Sequence, residues 1–336
     1  MKSNVEYLNP NDNLMFSSLS GNDLQEIVNL INNYKLEYRD FLNLDSDITF
    51  GIEIECEQIK EIINKRKIEA LNPYYDWSCS YDGSLIQGIE VKSPILRDNV
   101  KSWIDIYKVC SYLATKSNVL DEAAAHVHVG AHILKEDNTF WVNFLRLYST
   151  YENILFRFGY GEDLMNRKHL KDYAKPISRS LWERAGLIEK YNFDYKQIVD
   201  LLKSNRTKYT SVNFNNLINR KNVYAKYNTI EFRFANGTLN HIIWQNNVNL
   251  FCHLLTYSLN PNFNNEIINE RHRLIADDLE NLHLYNEIYL DQSLELADLV
   301  FDNNLDKIYF LRQYLKNYEL SNNRNEAKPF TKILTK

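Results

Sequence analysis

Eight side chains in four short stretches carry most of the chemistry this sequence offers. They are Glu53 and Glu55, Asp82 and Glu90, His126 and His128, and Glu231 and Arg233. Three of the pairs are two residues apart with an apolar residue between them. In an extended chain that spacing sends both side chains to one face. Asp82 and Glu90 stand on the two arms of a predicted hairpin. If these strands are neighbours, carboxylates and imidazoles converge on one surface. Carboxylate oxygens are hard ligands suited to Mg2+ or Mn2+, which in turn hold the phosphates of a nucleotide. Without cations such a cluster would repel itself and raise its own pKa values. Taken singly, each pair has an ordinary explanation: a solvated strand face for the glutamates, a turn at Asp82-Gly83, and an ion pair for Glu231 and Arg233. His126 and His128 alone would fit a hydrogen-bonded surface pair or a zinc ligand set. Convergence is what would make them a site.

The elements that must position these residues are legible from periodicity. Strict alternation over 48–57 puts Phe50, Ile52, Ile54 and Cys56 on one face and Glu53 and Glu55 on the other. Cys56, in phase with the apolar residues, is expected in the core rather than at the chemistry. Residues 77–93 predict a hairpin turning near Asp82-Gly83 and closed by Pro94. A helix follows through Val100, Trp103, Ile104, Tyr107 and Leu113, then a strand bearing His126 and His128. A long amphipathic helix spans 139–158 and stops at Gly159. Residues 160–205 are irregular and basic, with two short helices. Strands return at 209–215 and 229–235, and a further helix carries Ile243, Val248, Leu250 and Leu254. Near the start, Asp23 is expected to cap a helix carrying Leu24, Ile27, Val28 and Ile31.

This pattern predicts an α+β fold: a largely antiparallel sheet with helices packed on one face and the active site on the other. The expected organisation is a polar leader and helix over 1–45, a catalytic domain over 46–260, a helical C-terminal region over 261–320, and a tail over 321–336. With 336 residues and 44% hydrophobic content, the chain can bury a sizeable core. Its net charge of −5 and pI near 6.0, with no basic stripe, argue against a nucleic-acid partner. The four cysteines are far apart and form no CxxC pair, so neither a zinc ribbon nor a disulfide framework is expected. The polar start lacks the apolar core of a signal peptide, and no stretch is apolar enough to span a bilayer. A reduced, cytoplasmic setting without membrane attachment is the expectation.

Taken in chain order, the motifs resemble the amidoligase family, relatives of glutamine synthetase and the glutamate–cysteine ligases. The matching pieces are Phe50-Gly51-Ile52-Glu53-Ile54-Glu55, Trp77 with Asp82-Gly83-Ser84-Leu85, Glu90-Val91-Lys92-Ser93-Pro94 and His126-Val127-His128-Val129-Gly130. They continue with Asn166-Arg167 through Tyr173-Ala174-Lys175-Pro176, then Tyr209-Thr210-Ser211-Val212-Asn213, and end with Thr229-Ile230-Glu231-Phe232-Arg233-Phe234-Ala235-Asn236-Gly237-Thr238-Leu239. The resemblance covers residues 48–256. The family often carries Cys-Gly before the His-x-His strand, where this chain has Ala124-Ala125. It also often has Cys before the Lys-Pro pair, where Ala174 stands here. A covalent route through either cysteine is therefore closed.

The resemblance implies a glutamine synthetase catalytic-domain-like fold. It also implies an ATP-dependent ligase that activates a carboxylate as an acyl phosphate for attack by an amine. By analogy with glutamate–cysteine ligases, Glu53 and Glu231 would share one Mg2+ or Mn2+ ion, with Glu55, Asp82 and Glu90 holding another. His128 is the preferred further ligand or phosphate contact, with His126 close behind. Arg233 would contact the transferred phosphoryl group, since its guanidinium fork matches phosphate oxygens. Arg167, Lys175 and Arg206, with His126 and Ser84, would bind ATP or the acidic substrate, and Asn213 would orient substrate. Small-molecule or peptide carboxylates and amines are the expected partners; a protein substrate and a homo-oligomer are also compatible. The alternatives are another ATP-dependent phosphoryl or nucleotidyl transferase on the same scaffold, or a catalytically idle nucleotide- or ligand-binding module. A zinc hydrolase built on His126 and His128 would need a third ligand and a general base, and is less favoured.

Overall fold

The computed structural model of this chain describes residues 8–60, 63, 65–71, 76–85, 87–160, 170–204, 207–218, 228–281, 285, 288–315, 318–320 and 327–329. The alternating stretches form strands β1 (Phe50–Cys56), β2 (Ser78–Asp82), β3 (Gly88–Lys92), β4 (Ala124–Gly130), β5 (Val212–Asn213) and β6 (Thr229–Asn236). They make one sheet in the order β2-β3-β1-β4-β6-β5, with every neighbouring pair antiparallel. A small separate ribbon pairs β7 (Tyr318–Leu320) with β8 (Ala327–Pro329). The helices are α1 (Gly21–Asn33), α2 (Lys65–Glu69), α3 (Val100–Lys116), α4 (Asn138–Gly159), α5 (Leu170–Tyr173) and α6 (Ser178–Tyr191). They continue with α7 (Tyr195–Leu202), α8 (His241–Tyr257), α9 (Asn265–Ile275), α10 (Leu290–Val300) and α11 (Asn304–Leu315).

Along β1, β4 and β6 the alternate apolar residues point one way, and helices cover them. Ile52, Ile54, Val127, Val129, Phe232 and Phe234 are buried. Phe50 stacks on Trp103 of α3 at 5.1 Å, and Phe232 stacks on Phe251 of α8 at 4.4 Å. From α4, Phe144 and Tyr148 reach Phe232, and Phe156 stacks on Phe234 at 5.4 Å. Burying each such ring contributes about 1.5–3 kcal/mol, so this face is firmly anchored. Cys56 lies in it, and burial pushes its thiol up to about 12, as suits a core residue.

The helix over 138–159 is buried on nearly all sides, so it must be covered behind as well. Helices α6, α9, α10 and α11 do this, making a second helical layer. The close end of α4 explains Gly159. A Cβ there would come within 2.7 Å of the Phe234 ring, so the glycine permits contact with β6 rather than serving as a left-handed cap. Helix α1 starts earlier than Asp23 suggested: Ser20 holds the cap position, and Asp23 sits in the first turn, where a negative charge still favours the helix N-terminus.

Residues 14–17 of the opening segment are held by groups far away in sequence. Asn304 Oδ1 accepts from Leu14 N at 2.8 Å, while Asp298 accepts from Phe16 N and Ser17 N at 3.0 and 2.7 Å. Buried Lys307 donates to Asp298 at 2.7 Å and to the Leu14 carbonyl at 2.8 Å. Among the described residues, no helix is long and apolar enough to cross a membrane.

Candidate active site

The register of the sheet decides which polar residues meet. Glu53 stands opposite Lys92 on β3 and opposite His126 on β4. Glu55 faces Glu90, while Glu231 faces His128 on one side and Asn213 on the other. Directly opposed residues have Cβ atoms about 4.5–5.5 Å apart, so the polar face becomes a continuous lattice of charged groups. Between β4 and β6 the register shifts near His126. There Arg233 and Phe234 share a single position opposite the histidine strand. Such a bulge re-aims side chains locally; here Arg233 lines the cleft while Phe234 stays in the core.

Glu53 is the hub. Its Oε2 lies 3.2 Å from His126 Nδ1; its Oε1 lies 3.2 Å from His128 Nε2 and 3.0 Å from Lys92 Nζ. Lys92 also contacts Glu90 Oε2 at 2.6 Å. Glu55 Oε2 accepts from Ala124 N at 2.6 Å, fixing one oxygen and leaving Oε1 3.7 Å from His126 Nε2. Asn213 Nδ2 donates to Glu231 Oε2 at 2.6 Å, and Arg233 pairs with Glu231 along the same strand. Asp82 is held by its own turn, accepting from Ser84 N at 2.8 Å and Ser84 Oγ at 2.6 Å.

The electrostatics follow from crowding. Burial alone would raise the Glu53 carboxyl, but hydrogen bonds and positive charge from His126 and His128 outweigh it and hold it far below the usual range. Glu90 goes the other way: burial, then the neighbouring Glu53, push it up to about 8 against the pull of Lys92. Burial also opposes ionisation of Glu231, yet Arg233, His128 and His126 bring its pKa below normal. For His128, burial disfavours the cation, while Glu53 and Glu231 more than compensate and raise it. The carboxylates of the cleft thus outnumber the fixed positive charges beside them.

Three overlapping groups place their ligand atoms within 4.8 Å of one another: Glu53, His128 and Glu231; Glu53, Glu90 and His126; and Glu55, Asp82 and Glu90. The donor set is mainly carboxylate oxygen with single imidazoles, which suits Mg2+ or Mn2+. Among the described residues, none of these groups contains both histidines, which disfavours a zinc centre built on the pair. His126 Nε2 is buried without a hydrogen bond, as expected of an atom placed for a cation or a ligand.

These residues line a cleft of about 460 Å³. Of the sequence-predicted site residues, Glu53, Glu55, Asp82, Ser84, Glu90, His126, His128, Asn213, Glu231 and Arg233 all lie in it. Lys175 does not line it. Its backbone bridges to Tyr209 and Ser211, while its side chain is exposed. Arg167 and Arg206 fall outside the described residues. Sequence reasoning assigned no role to Lys92, although its spacing from Glu90 is the same i, i+2 signal. It also missed Glu122, Tyr173, Lys208, Tyr209, Asn215 and Asn216 at the walls and rim. A second, more open depression of about 600 Å³ runs along α9. Two of its charges, Arg271 and Glu295, are already paired at 2.8 Å, and no imidazole lines it.

An antiparallel sheet backed by helices, with carboxylates and imidazoles gathered on its open face, defines an α+β protein with a sheet-borne acidic cleft suited to cations. Residues 60–255, more than half of the chain, match the family described as "Putative amidoligase enzyme", and the chain belongs to that family. The family's description is that of an amide-forming ligase. A comparison with curated proteins finds no match.

Proposed function

We propose that this chain is an ATP- and Mg2+-dependent carboxylate–amine ligase that forms a peptide or isopeptide bond through an acyl phosphate, on a fold like the glutamine synthetase catalytic domain. The observation that carries the reading is the run of three overlapping cation-competent groups, two of them sharing Glu53, beside Arg233 on the sheet of a chain in the amidoligase family. In this reading Glu53, His128 and Glu231 hold one ion, and Glu55, Asp82 and Glu90 another. Bound there, the ions would neutralise phosphate charge and favour phosphoryl transfer.

The chain's own groups supply the rest. Asn213 orients the Glu231 carboxylate. Arg233, now tied to Glu231, becomes available to the transferred phosphoryl group once Glu231 is engaged elsewhere, and a preorganised guanidinium there stabilises developing charge. Rim residues Tyr173, Lys208 and Tyr209 hold the two substrates in line, an effect that lowers such barriers by about 7–11 kcal/mol. Four free cysteines, three of them buried, accord with a reducing, cytoplasmic setting.

The test is an incubation of purified protein with ATP, Mg2+ and a pool of amino acids and peptides, with Glu53→Gln and Arg233→Ala in parallel. The expected outcome is ADP and phosphate release that depends on an added carboxylate or amine and drops at least a hundredfold in both variants. Mass spectrometry of the mixture then names the amide. Pyrophosphate release would point instead to nucleotidyl transfer. If calorimetry detects no ATP binding with Mg2+ or Mn2+ present, the ligase reading fails and an idle binding module takes its place.

A further inference from the structure

Lys92 occupies an unusual place in the acidic cluster. Its ammonium lies 3.0 Å from Glu53 and 2.6 Å from Glu90, the two carboxylates that, with His126, make up the middle of the three overlapping groups. The outer groups each borrow one of these carboxylates: Glu53 serves the group with His128 and Glu231, and Glu90 serves the group with Glu55 and Asp82. A divalent ion in the middle group would draw on the same two carboxylates, at about 2.0–2.6 Å from the oxygens it binds. That would bring it against the ammonium, and two positive charges do not share one carboxylate cradle without a large cost.

We propose that Lys92 is a tethered cation that takes the middle position, so that the cleft binds two divalent ions per chain rather than three. The proposal rests on the metal-dependent reading above and goes beyond it by assigning the third position to the protein itself. Charge balance agrees. Glu53, Glu55, Asp82, Glu90, Glu122 and Glu231 share the cleft with Lys92, Lys208 and Arg233, so fixed cations already offset three of six carboxylates. Two divalent ions then leave a slight positive excess, which favours a polyphosphate without trapping it. The stem of Lys92 comes from β3, whose pairing with β1 fixes it directly across from Glu53. The ammonium is therefore placed by the sheet rather than by a mobile loop. His126 is also explained: its Nδ1 sits near Glu53, while buried Nε2 makes no hydrogen bond. Its ring would complete the middle group if that position were vacated.

The test counts Mn2+ bound by the full chain without ATP, using equilibrium dialysis and electron paramagnetic resonance. The expected result is two ions for the wild type and for Lys92→Arg, and three for Lys92→Met, which keeps the stem and removes the charge. Spin coupling between neighbouring Mn2+ ions should strengthen in Lys92→Met as the middle position fills. Three ions in the wild type would overturn the proposal, and so would an unchanged count in a folded Lys92→Met protein. Should Lys92→Met not fold, Lys92→Gln serves as the neutral variant in its place, since a wild-type count of two alone does not single out Lys92. Failure of the metal-dependent reading is distinguishable, since neither wild type nor Lys92→Met would then bind Mn2+ at all.

Discussion

At the scale of single residues, the cleft is governed by what each carboxylate oxygen is already doing. Glu231 has one oxygen on Asn213 and the other on Arg233, so its direction is fixed before any ligand arrives. Asn213 in turn has its Oδ1 engaged by Asn215 N at 3.0 Å, which sets the amide so that its NH2 must face Glu231. Replacing Asn213 with alanine removes both bonds and lets Glu231 turn. Partners that orient a metal ligand typically contribute 10–100-fold in affinity, whereas the lost hydrogen bonds cost the fold about 1–2 kcal/mol. The expected outcome for Asn213→Ala is Mn2+ binding weakened about 10–100-fold in a protein that still melts cooperatively. A titration showing wild-type affinity would remove Asn213 from the site. Most of the acidic and imidazole residues were visible in the sequence because three of the four pairs obey a period of two, which fixes the shared face within one strand. Asp82 and Glu90 were linked by the hairpin signal. Lys92 obeys the same period, but a lysine beside a glutamate reads as a solvated pair. Only the register, with Glu53 directly across, shows that its charge is spent inside the cluster.

At the scale of elements, the short strand that carries Asn213 depends on a buried carboxylate far from the cleft's signature motifs. Glu152, on the inner part of α4, accepts from Ile177 N and Ser178 N, both at 2.9 Å, from Tyr285 at 3.1 Å, and from Ser211 Oγ. It thereby docks the start of α6 and the edge of β5 onto the long helix. Nothing in the sequence marks it. A glutamate within an amphipathic helix is ordinarily read as surface, and its partners lie 25–133 positions away. The bulge on β6 was equally hidden, because an extra residue in one strand shows only against its partner. Burial pushes Glu152 up to about 7, with hydrogen bonds from Ser211, Ile177, Ser178 and Tyr285 pulling the other way. A folded-state pKa above the unfolded one means the folded state binds the extra proton. The associated stability is therefore complete below about pH 4.5 and is lost as pH rises through about 7. Between pH 5 and 7.5 the wild type should lose about 2–3 kcal/mol from this group. In Glu152→Gln that slope should vanish. The amide would also set an NH2 against existing donors, lowering stability at pH 5 by about 1–3 kcal/mol. Denaturant melts of both proteins at several pH values check this, and parallel pH profiles would refute it.

At the scale of the whole molecule, the segment over 14–17 packs onto α10 and α11 and with them closes the outer helical layer. The pivot is Asp298, almost fully buried, which binds Lys307 and the backbone of Phe16 and Ser17. Lys307 is fully buried and reaches back to the Leu14 carbonyl. Hydrophobic spacing could not reveal this arrangement, because the opening segment is polar and its order comes from side chains more than 280 positions away. Breaking a buried pair from one side strands the other charge, which typically costs about 3–5 kcal/mol, while removing both charges often costs far less. Asp298→Ala should therefore lower the melting temperature by roughly 5–10 °C and speed amide exchange over residues 14–19. Adding Lys307→Met should recover part of that loss, since no lone ammonium is then left inside. The acidic cleft lies on the opposite face of the sheet and takes its ligands from strands whose pairing this layer does not contribute. Mn2+ affinity measured well below the melting point should accordingly be unchanged in Asp298→Ala. Equal weakening of metal binding and of the fold would mean that the outer layer also sets the register of the strands, so that site and scaffold respond as one unit.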